Sequence, residues 1–263
     1  MPPALTIVTV IKDDRDGLIR TRDSLQACAS DDLEDVQWLV IDSSSDRSSV
    51  TDALSASAIP ATIEWVPPEG VYEAMNAGLQ RASGDYLYFL NAGDRLRDAP
   101  ALTAILGTIE QMQPTWMYGQ VAFIDAQGEE TIPPPFDYNA ERNANFSNGR
   151  FPPHQGTIVR REALQSFGGF DTSYRITADY TAVLRLSLIA DPVELPEVLA
   201  EFTTGGLSES RWLLSINEFH RARLEILRPR GFALVAEFAS TAQHALRMGL
   251  HRVIKRTQRR RLP

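Results

Sequence analysis

The sequence predicts an α/β protein with a mostly parallel sheet flanked by helices, followed by a C-terminal helical extension. Three observations carry this. Four short β-branched or apolar runs alternate with three segments of helical character within the first 94 residues. The runs at 5–11 and 86–90 are apolar or β-branched without a polar alternation, as strands buried on both faces are. The runs end in polar or glycine-containing loops, and open α/β sheets bind ligands at that edge.

The first strand, LTIVTVI, is rich in β-branched residues. A polar loop, Lys12 to Gly17, leads into a helix in which Leu18 and Leu25, seven apart, share a face. Residues 38–41 form a second strand ending at Asp42. The loop SSSDRSS at 43–49 is dense in turn formers and N-cap residues, and a helix follows over 50–56. Residues 62–66 are the third strand. Pro67-Pro68-Glu69-Gly70 breaks the chain, and 71–82 reads as a helix. Ser83-Gly84-Asp85 turns into YLYFL, which runs straight into Asn91-Ala92-Gly93-Asp94. This βαβαβαβ order implies parallel pairing through right-handed crossovers.

Beyond Asp94 the pattern loosens. A helix is expected over 99–113, followed by a strand pair, 117–124, turning at 125–128. A Pro- and Asn-rich loop follows over 133–153, then a strand over 154–159 and a short helix over 161–167, stopped by Gly168-Gly169. Residues 178–190 read as an amphipathic helix, with Tyr180, Val183, Leu184 and Leu188 at helical spacing. Helices over 212–227 and 232–256 close the chain. The expected domains are 1–210 and 211–263.

Apolar content is 43% and charged content 23%, ordinary for a globular protein. One cysteine, Cys28, excludes an internal disulfide and suits a reducing cytosol. The N-terminus carries no basic region before its apolar run, so no signal peptide is expected. No stretch approaches the ~20 apolar residues that span a bilayer. The net charge of −8 is uneven. Residues 247–263 hold seven Lys or Arg and no acid, leaving 19 basic against 34 acidic groups before them. The acidic body argues against nucleic acid as a partner. No G-x-G-x-x-G and no Walker loop follows the first strand, which counts against dinucleotide and P-loop enzymes.

Asp42 and Asp94 follow strands expected to point the same way, so both fall at one sheet edge. The helix opened by GVYEAMNAG starts at that edge too, and TADY puts Asp179 at a helix start. Together with VIDSSSDRS, YLYFLNAGD, PHQGTIVRREAL, GGFDTSYRITADYTAVLRL and Thr204-Gly205-Gly206-Leu207-Ser208, this ordered set resembles family 2 glycosyltransferases of the GT-A fold. It is most similar to members that build bacterial exopolysaccharide, capsule or lipopolysaccharide.

The resemblance implies an inverting transferase that takes sugar from a nucleotide-sugar donor, a UDP-sugar being favoured, to a glycan or lipid-linked acceptor. It implies Thr9 and Asp42 at the nucleoside, Asp94 as ligand of Mn²⁺ or Mg²⁺, and Asp179 as catalytic base. Asn91 stands where relatives carry a second carboxylate, and Ala178 where they carry an acid. The structural alternative for Asp42 is an Asx turn or helix cap, and for Asp179 a dipole-favoured helix-start acid. His154 is either structural or a contact to diphosphate or acceptor. Tyr72 and Asn76 lie near a helix start, where Asn76 either touches donor sugar or has its amide satisfied internally.

Val235, Phe238, Ala242, Leu246, Leu250 and Val253 form an apolar stripe beside the basic end. That is compatible with a helix packed on the protein or with peripheral contact to the inner face of the cell membrane. The expected location is therefore cytoplasmic. Two rival readings are a nucleotide-sugar-binding protein without turnover and a sugar-phosphate nucleotidyltransferase. The latter needs a Gly-rich basic loop after the first strand, where the chain has Lys12-Asp13-Asp14-Arg15.

Overall fold

Leu5–Ile11 forms β1 and is buried along its whole length, which is why it needs no polar alternation. It lies between β2 (Val36–Asp42) and β4 (Tyr86–Phe89), parallel to both. β3 (Ala61–Trp65) adds a further parallel strand outside β2. The computed structural model describes residues 3–28, 35–134, 136–204 and 211–259, with backbone alone over 251–259. The matched positions Gly205, Gly206, Leu207 and Ser208 lie outside the described residues, as do Arg260 and Arg261 of the basic end.

The full sheet has the order β3-β2-β1-β4-β8-β6-β9-β5, with β7 against β6. Its second half comprises β5 (Arg95–Leu96), β6 (Trp116–Ile124), β7 (Glu130–Thr131), β8 (Thr157–Arg160) and β9 (Val193–Thr203). From the pairings, β1 to β4, β6 and β9 run in one direction, and β5, β7 and β8 run against it. The antiparallel strand β8 matters most for function. It sits beside β4 with Tyr88 opposite Ile158, so the residues entering β8 lie next to those leaving β4.

The helices that accompany the sheet are α1 (Arg15–Ala27), α2 (Arg47–Ser55), α3 (Val71–Arg81), α4 (Ala99–Met112), a short α6 (Arg161–Ser166) and α7 (Ala178–Ile189), while α5 (Tyr138–Asn143) belongs to a separate compact unit. Asp14, Asp46 and Asp98 cap α1, α2 and α4, each accepting a backbone N–H of the first turn. α3 approaches β1 closely at Gly78, where a Cβ would stand 2.4 Å from Val8 Cγ1.

Three expectations change. His154–Gly156 is a 3-10 turn, and the strand expected from 154 begins at Thr157. β9 was not expected. Pro196 breaks its pattern, and the structure accommodates it where the register with β6 shifts between Tyr118 and Gln120. α7 is not amphipathic: Ala178, Tyr180, Thr181, Ala182, Val183, Leu184, Leu186 and Ser187 are all buried, while Leu188 is 53% exposed.

The chain divides into two compact units, residues 1–135 with 152–206 and residues 136–151 with 207–263. Residues 136–151, expected within the first domain as an unpatterned loop, belong with the C-terminal helices. The segment contains α5 (Tyr138–Asn143), capped by Asp137, and Phe146 is 0% exposed beside Tyr138 and Phe136. Two long helices, α8 (Trp212–Leu227) and α9 (Phe232–Arg259), complete that unit. Among the described residues no helix is long and apolar enough to cross a membrane.

Candidate active site

The loop leaving β4 is pinned to the end of β1. Leu90 N donates to Val8 O (3.0 Å) and Ala92 N to Val10 O (3.0 Å). On the other side of β1, Ser43 N donates to Ile11 O (2.8 Å). The Asp42 and Asn91–Asp94 loops therefore flank the carboxyl end of one central strand. Gly93, at φ +100°, permits the tight turn that brings Asp94 N to Asn91 O (2.9 Å). Thr21 of α1 locks the loop from below. Its hydroxyl donates to Asp94 O (2.7 Å) and accepts from Gly93 N (3.1 Å).

β8 then delivers His154 to this loop. His154 Nε2 lies 3.3 Å from Asn91 Nδ2, and its Nδ1 lies 3.3 Å from Asp179 Oδ2. A carboxylate only accepts and the amide nitrogen only donates, so a neutral ring carries its proton on Nδ1. Asp179, in the first turn of α7, is held from the other side by Tyr72 of α3. The Tyr72 hydroxyl lies 2.7 Å from Ile176 O and 3.2 Å from Asp179 Oδ1, with one proton to donate. Asp179 Oδ1 also accepts from Tyr180 N (2.9 Å). A continuous chain thus runs Tyr72, Asp179, His154, Asn91 and the Asp94 turn, where Asn91 N donates to Asp94 Oδ2 (3.1 Å).

The electrostatics follow from burial and these partners. Burial pushes Asp94 up to about 6, against the pull of His154, the Asn91 N–H and the Gln155 side chain. Burial also works against a charged His154, but the Asp179 hydrogen bond and the charges of Asp179 and Asp94 overcome it and raise its pKa. Burial, with the Asp179 charge, lifts the Tyr72 hydroxyl well above its ordinary value, so it stays protonated.

Of the residues singled out by sequence, Tyr72, Asn91, Asp94, His154 and Asp179 come together. Thr9 does not join them: it is 0% exposed and its hydroxyl accepts from Trp38 Nε1 (3.0 Å). Asn76 clamps the glycine loop, its Oδ1 accepting from Phe170 N (2.8 Å) and its Nδ2 donating to Phe170 O (2.7 Å). Gly169, at φ +80°, makes room for that amide; a Cβ there would stand 2.4 Å from Asn76 Oδ1. Asp42 forms the Asx turn, Oδ1 accepting from Ser44 N (2.7 Å). Next to it, Asp13 Oδ1 accepts from Ser45 N and Oγ (both 2.8 Å), which staples the first two loops together.

Two buried polar atoms at this edge lack any partner, Ser43 Oγ and Asn91 Oδ1. Unsatisfied buried groups in a folded protein call for an explanation, and capacity kept for a ligand is one. Among the described residues no three His, Cys, Asp or Glu side chains gather as a metal cage. A single carboxylate, Asp94, does suit Mg²⁺ or Mn²⁺ held partly by substrate phosphates and water. Sequence reading missed Thr21, and it singled out Gln155 only as the neighbour of His154. Thr21 lies three residues after Leu18 on the buried face of α1, and a polar side chain in an apolar stripe is its signal. Gln155 adjoins His154 and shows no pattern of its own.

The family profile "Glycosyl transferase family 2" matches residues 6–168. An uncharacterized glycosyltransferase of Mycobacterium tuberculosis, Rv1514c, is 29% identical over 215 residues, covering 80% of this chain and 78% of the relative. Among solved structures, S. aureus TarS 1–349 in complex with UDP superposes with a TM-score of 0.63 at 13% identity, covering 92% of this chain and 70% of that 1–349 chain. The mannosyltransferase PcManGT of Pyrobaculum calidifontis, in complex with GDP-Man and Mn²⁺, gives a TM-score of 0.63 at 15% identity, covering 98% and 81%. The structural likeness establishes the fold as GT-A, and the profile match over most of the sheet means that the chain belongs to glycosyltransferase family 2.

Proposed function

We propose that this sheet edge catalyses inverting transfer of a sugar from a nucleotide-sugar, a UDP-sugar being favoured, to a glycan or lipid-linked acceptor in bacterial surface polysaccharide synthesis. The observation that carries the reading is Asp179, held between Tyr72 and His154 and linked through Asn91 to the Asp94 turn. In this reaction the acceptor hydroxyl oxygen bonds to the anomeric carbon as the carbon–oxygen bond to diphosphate breaks. The electron pair leaves with the diphosphate, and the hydroxyl proton passes to Asp179. Attack opposite the leaving group inverts configuration.

Asp179 is suited to the base role because two neighbours fix its orientation in the first turn of α7. His154 positions it, and Asn91 sets the His154 tautomer. Asp94 would hold a divalent ion, which when bound offsets charge on the leaving diphosphate. Asp42 and the orphaned Ser43 hydroxyl would meet the nucleoside. The complexes of TarS with UDP and of PcManGT with GDP-Man and Mn²⁺ support a nucleoside diphosphate and metal of this kind.

The test is a melting-temperature panel of UDP, GDP, dTDP and CMP, each with and without Mn²⁺. A ligand that binds only the native state raises its melting temperature. The expected result is a shift with one diphosphate, UDP first, that grows with Mn²⁺. A shift indifferent to Mn²⁺ would remove Asp94 from the metal role. No shift with any nucleotide would contradict the donor assignment.

A further inference from the structure

The C-terminal helix pair is built inside out. Along α9, the buried side chains among 232–250 are Glu237 and His244. Glu237 Oε1 accepts from Arg223 Nε (2.7 Å) and lies 3.1 Å from His220 Nδ1. Thr241 Oγ1 accepts from Arg223 Nη2 (2.9 Å), and Arg223 itself is 1% exposed. His244 Nδ1 donates to Ser147 O (3.1 Å) while its ring stacks on Phe219. This network decides which face of α9 turns inward, because rotating the helix would leave the Arg223 charge buried alone.

The other face is apolar and open. Phe232 is 86% exposed, Val235 65%, Phe238 55%, Leu246 75% and Leu250 63%. At 3.6 residues per turn these five fall within an arc of about 120°. An ordinary surface helix turns such a stripe toward its core. A contiguous exposed apolar face marks an interaction site.

The charge pattern selects the occupant. Residues 247–263 carry seven Lys or Arg and no acid, whereas the preceding 246 residues carry a balance of −15. A second copy docked on the stripe would bring seven like charges with it. An anionic lipid surface accepts both features, with headgroups meeting the basic end and the acyl boundary meeting the stripe. We infer that α9 lies in the plane of an anionic membrane surface with Val235, Phe238, Leu246 and Leu250 inserted. The inference stands on α9 alone and does not require the transferase reading.

Co-sedimentation of the full chain with phosphatidylglycerol vesicles, and with neutral phosphatidylcholine vesicles, tests it. The wild type should bind the anionic vesicles, bind the neutral ones weakly, and lose affinity as salt rises. The double variant Leu246→Glu/Leu250→Glu should bind anionic vesicles at least about tenfold more weakly. Its melting temperature should be unchanged, because both side chains already face solvent. Absence of wild-type binding to anionic vesicles overturns the inference, and so does equal binding by wild type and variant. A vesicle-independent dimer that the variant converts to monomer, with no vesicle binding, assigns the stripe to a second copy and also overturns it. The comparison of two lipids on the wild type stands whatever the variant does.

Discussion

Two helices with similar apolar spacing end in opposite environments. α7, which carries Asp179, is buried nearly all round, so that even Thr181 and Ser187 are inside. Their hydroxyls donate to Ala178 O and Leu184 O (both 2.8 Å) and leave no orphaned donor. α9 buries Glu237 and His244 and presents its leucines to solvent. Periodicity reports that a stripe exists; the neighbours decide which way it faces. In α7 the neighbours are apolar, and Asp179, the proposed base, sits in its first turn. In α9 the inward partner is Arg223, and a buried arginine demands carboxylate and hydroxyl partners over leucine.

The contrast can be broken at its strongest point first. Arg223→Met leaves Glu237 buried without its cation and should cost about 3–5 kcal/mol. Adding Glu237→Leu should restore most of that, since paired replacement of a buried ion pair is often neutral. Urea unfolding of both variants checks this, and equal losses for single and double variants would mean the network does not orient α9. Next, Leu184→Ala in α7, at 2% exposure, should cost about 2–5 kcal/mol by opening a cavity.

A third effect comes from Asp94. Its folded pKa of about 6 exceeds the ordinary 3.8, so the fold binds this proton more tightly than the unfolded chain does. The resulting stability is full below about pH 4 and is lost as pH rises through 6, on the order of 3 kcal/mol at most. In metal-free protein, Asp94→Asn should flatten the stability curve across that window; an unchanged slope would place its source elsewhere. Smallest of all, Leu246→Ala in α9 should change stability by less than about 0.5 kcal/mol. A loss as large as that of Leu184→Ala would show that the stripe is covered in solution.

In the parallel half of the sheet, β1 and β4 were legible because they are buried along their whole length, and the apolar or β-branched runs 5–11 and 86–89 say so directly. β9 was hidden because Pro196 and its bulge break the alternation. The second half of the site was legible through resemblance. Asp179 and His154 lie 25 residues apart in sequence, and only the antiparallel placement of β8 beside β4 brings His154 to Asn91. Thr9 and Asn76 could not be separated from ligand contacts by sequence, because a satisfied buried polar group and a binding group look alike until partners are known. Here the Trp38 indole and the Phe170 backbone supply those partners. The inward face of α9 was unreadable for a related reason: its partner Arg223 lies on another helix.

The most direct test of the account is Asp179→Asn, comparing sugar transfer with nucleotide binding. The side chain keeps its size and its place beside Tyr72 and His154, but it no longer accepts a proton. The account predicts that transfer falls by about 10²–10⁴-fold while the nucleotide-induced melting shift stays within a degree or so of wild type. Transfer at the wild-type rate would remove Asp179 from the base role and contradict the account.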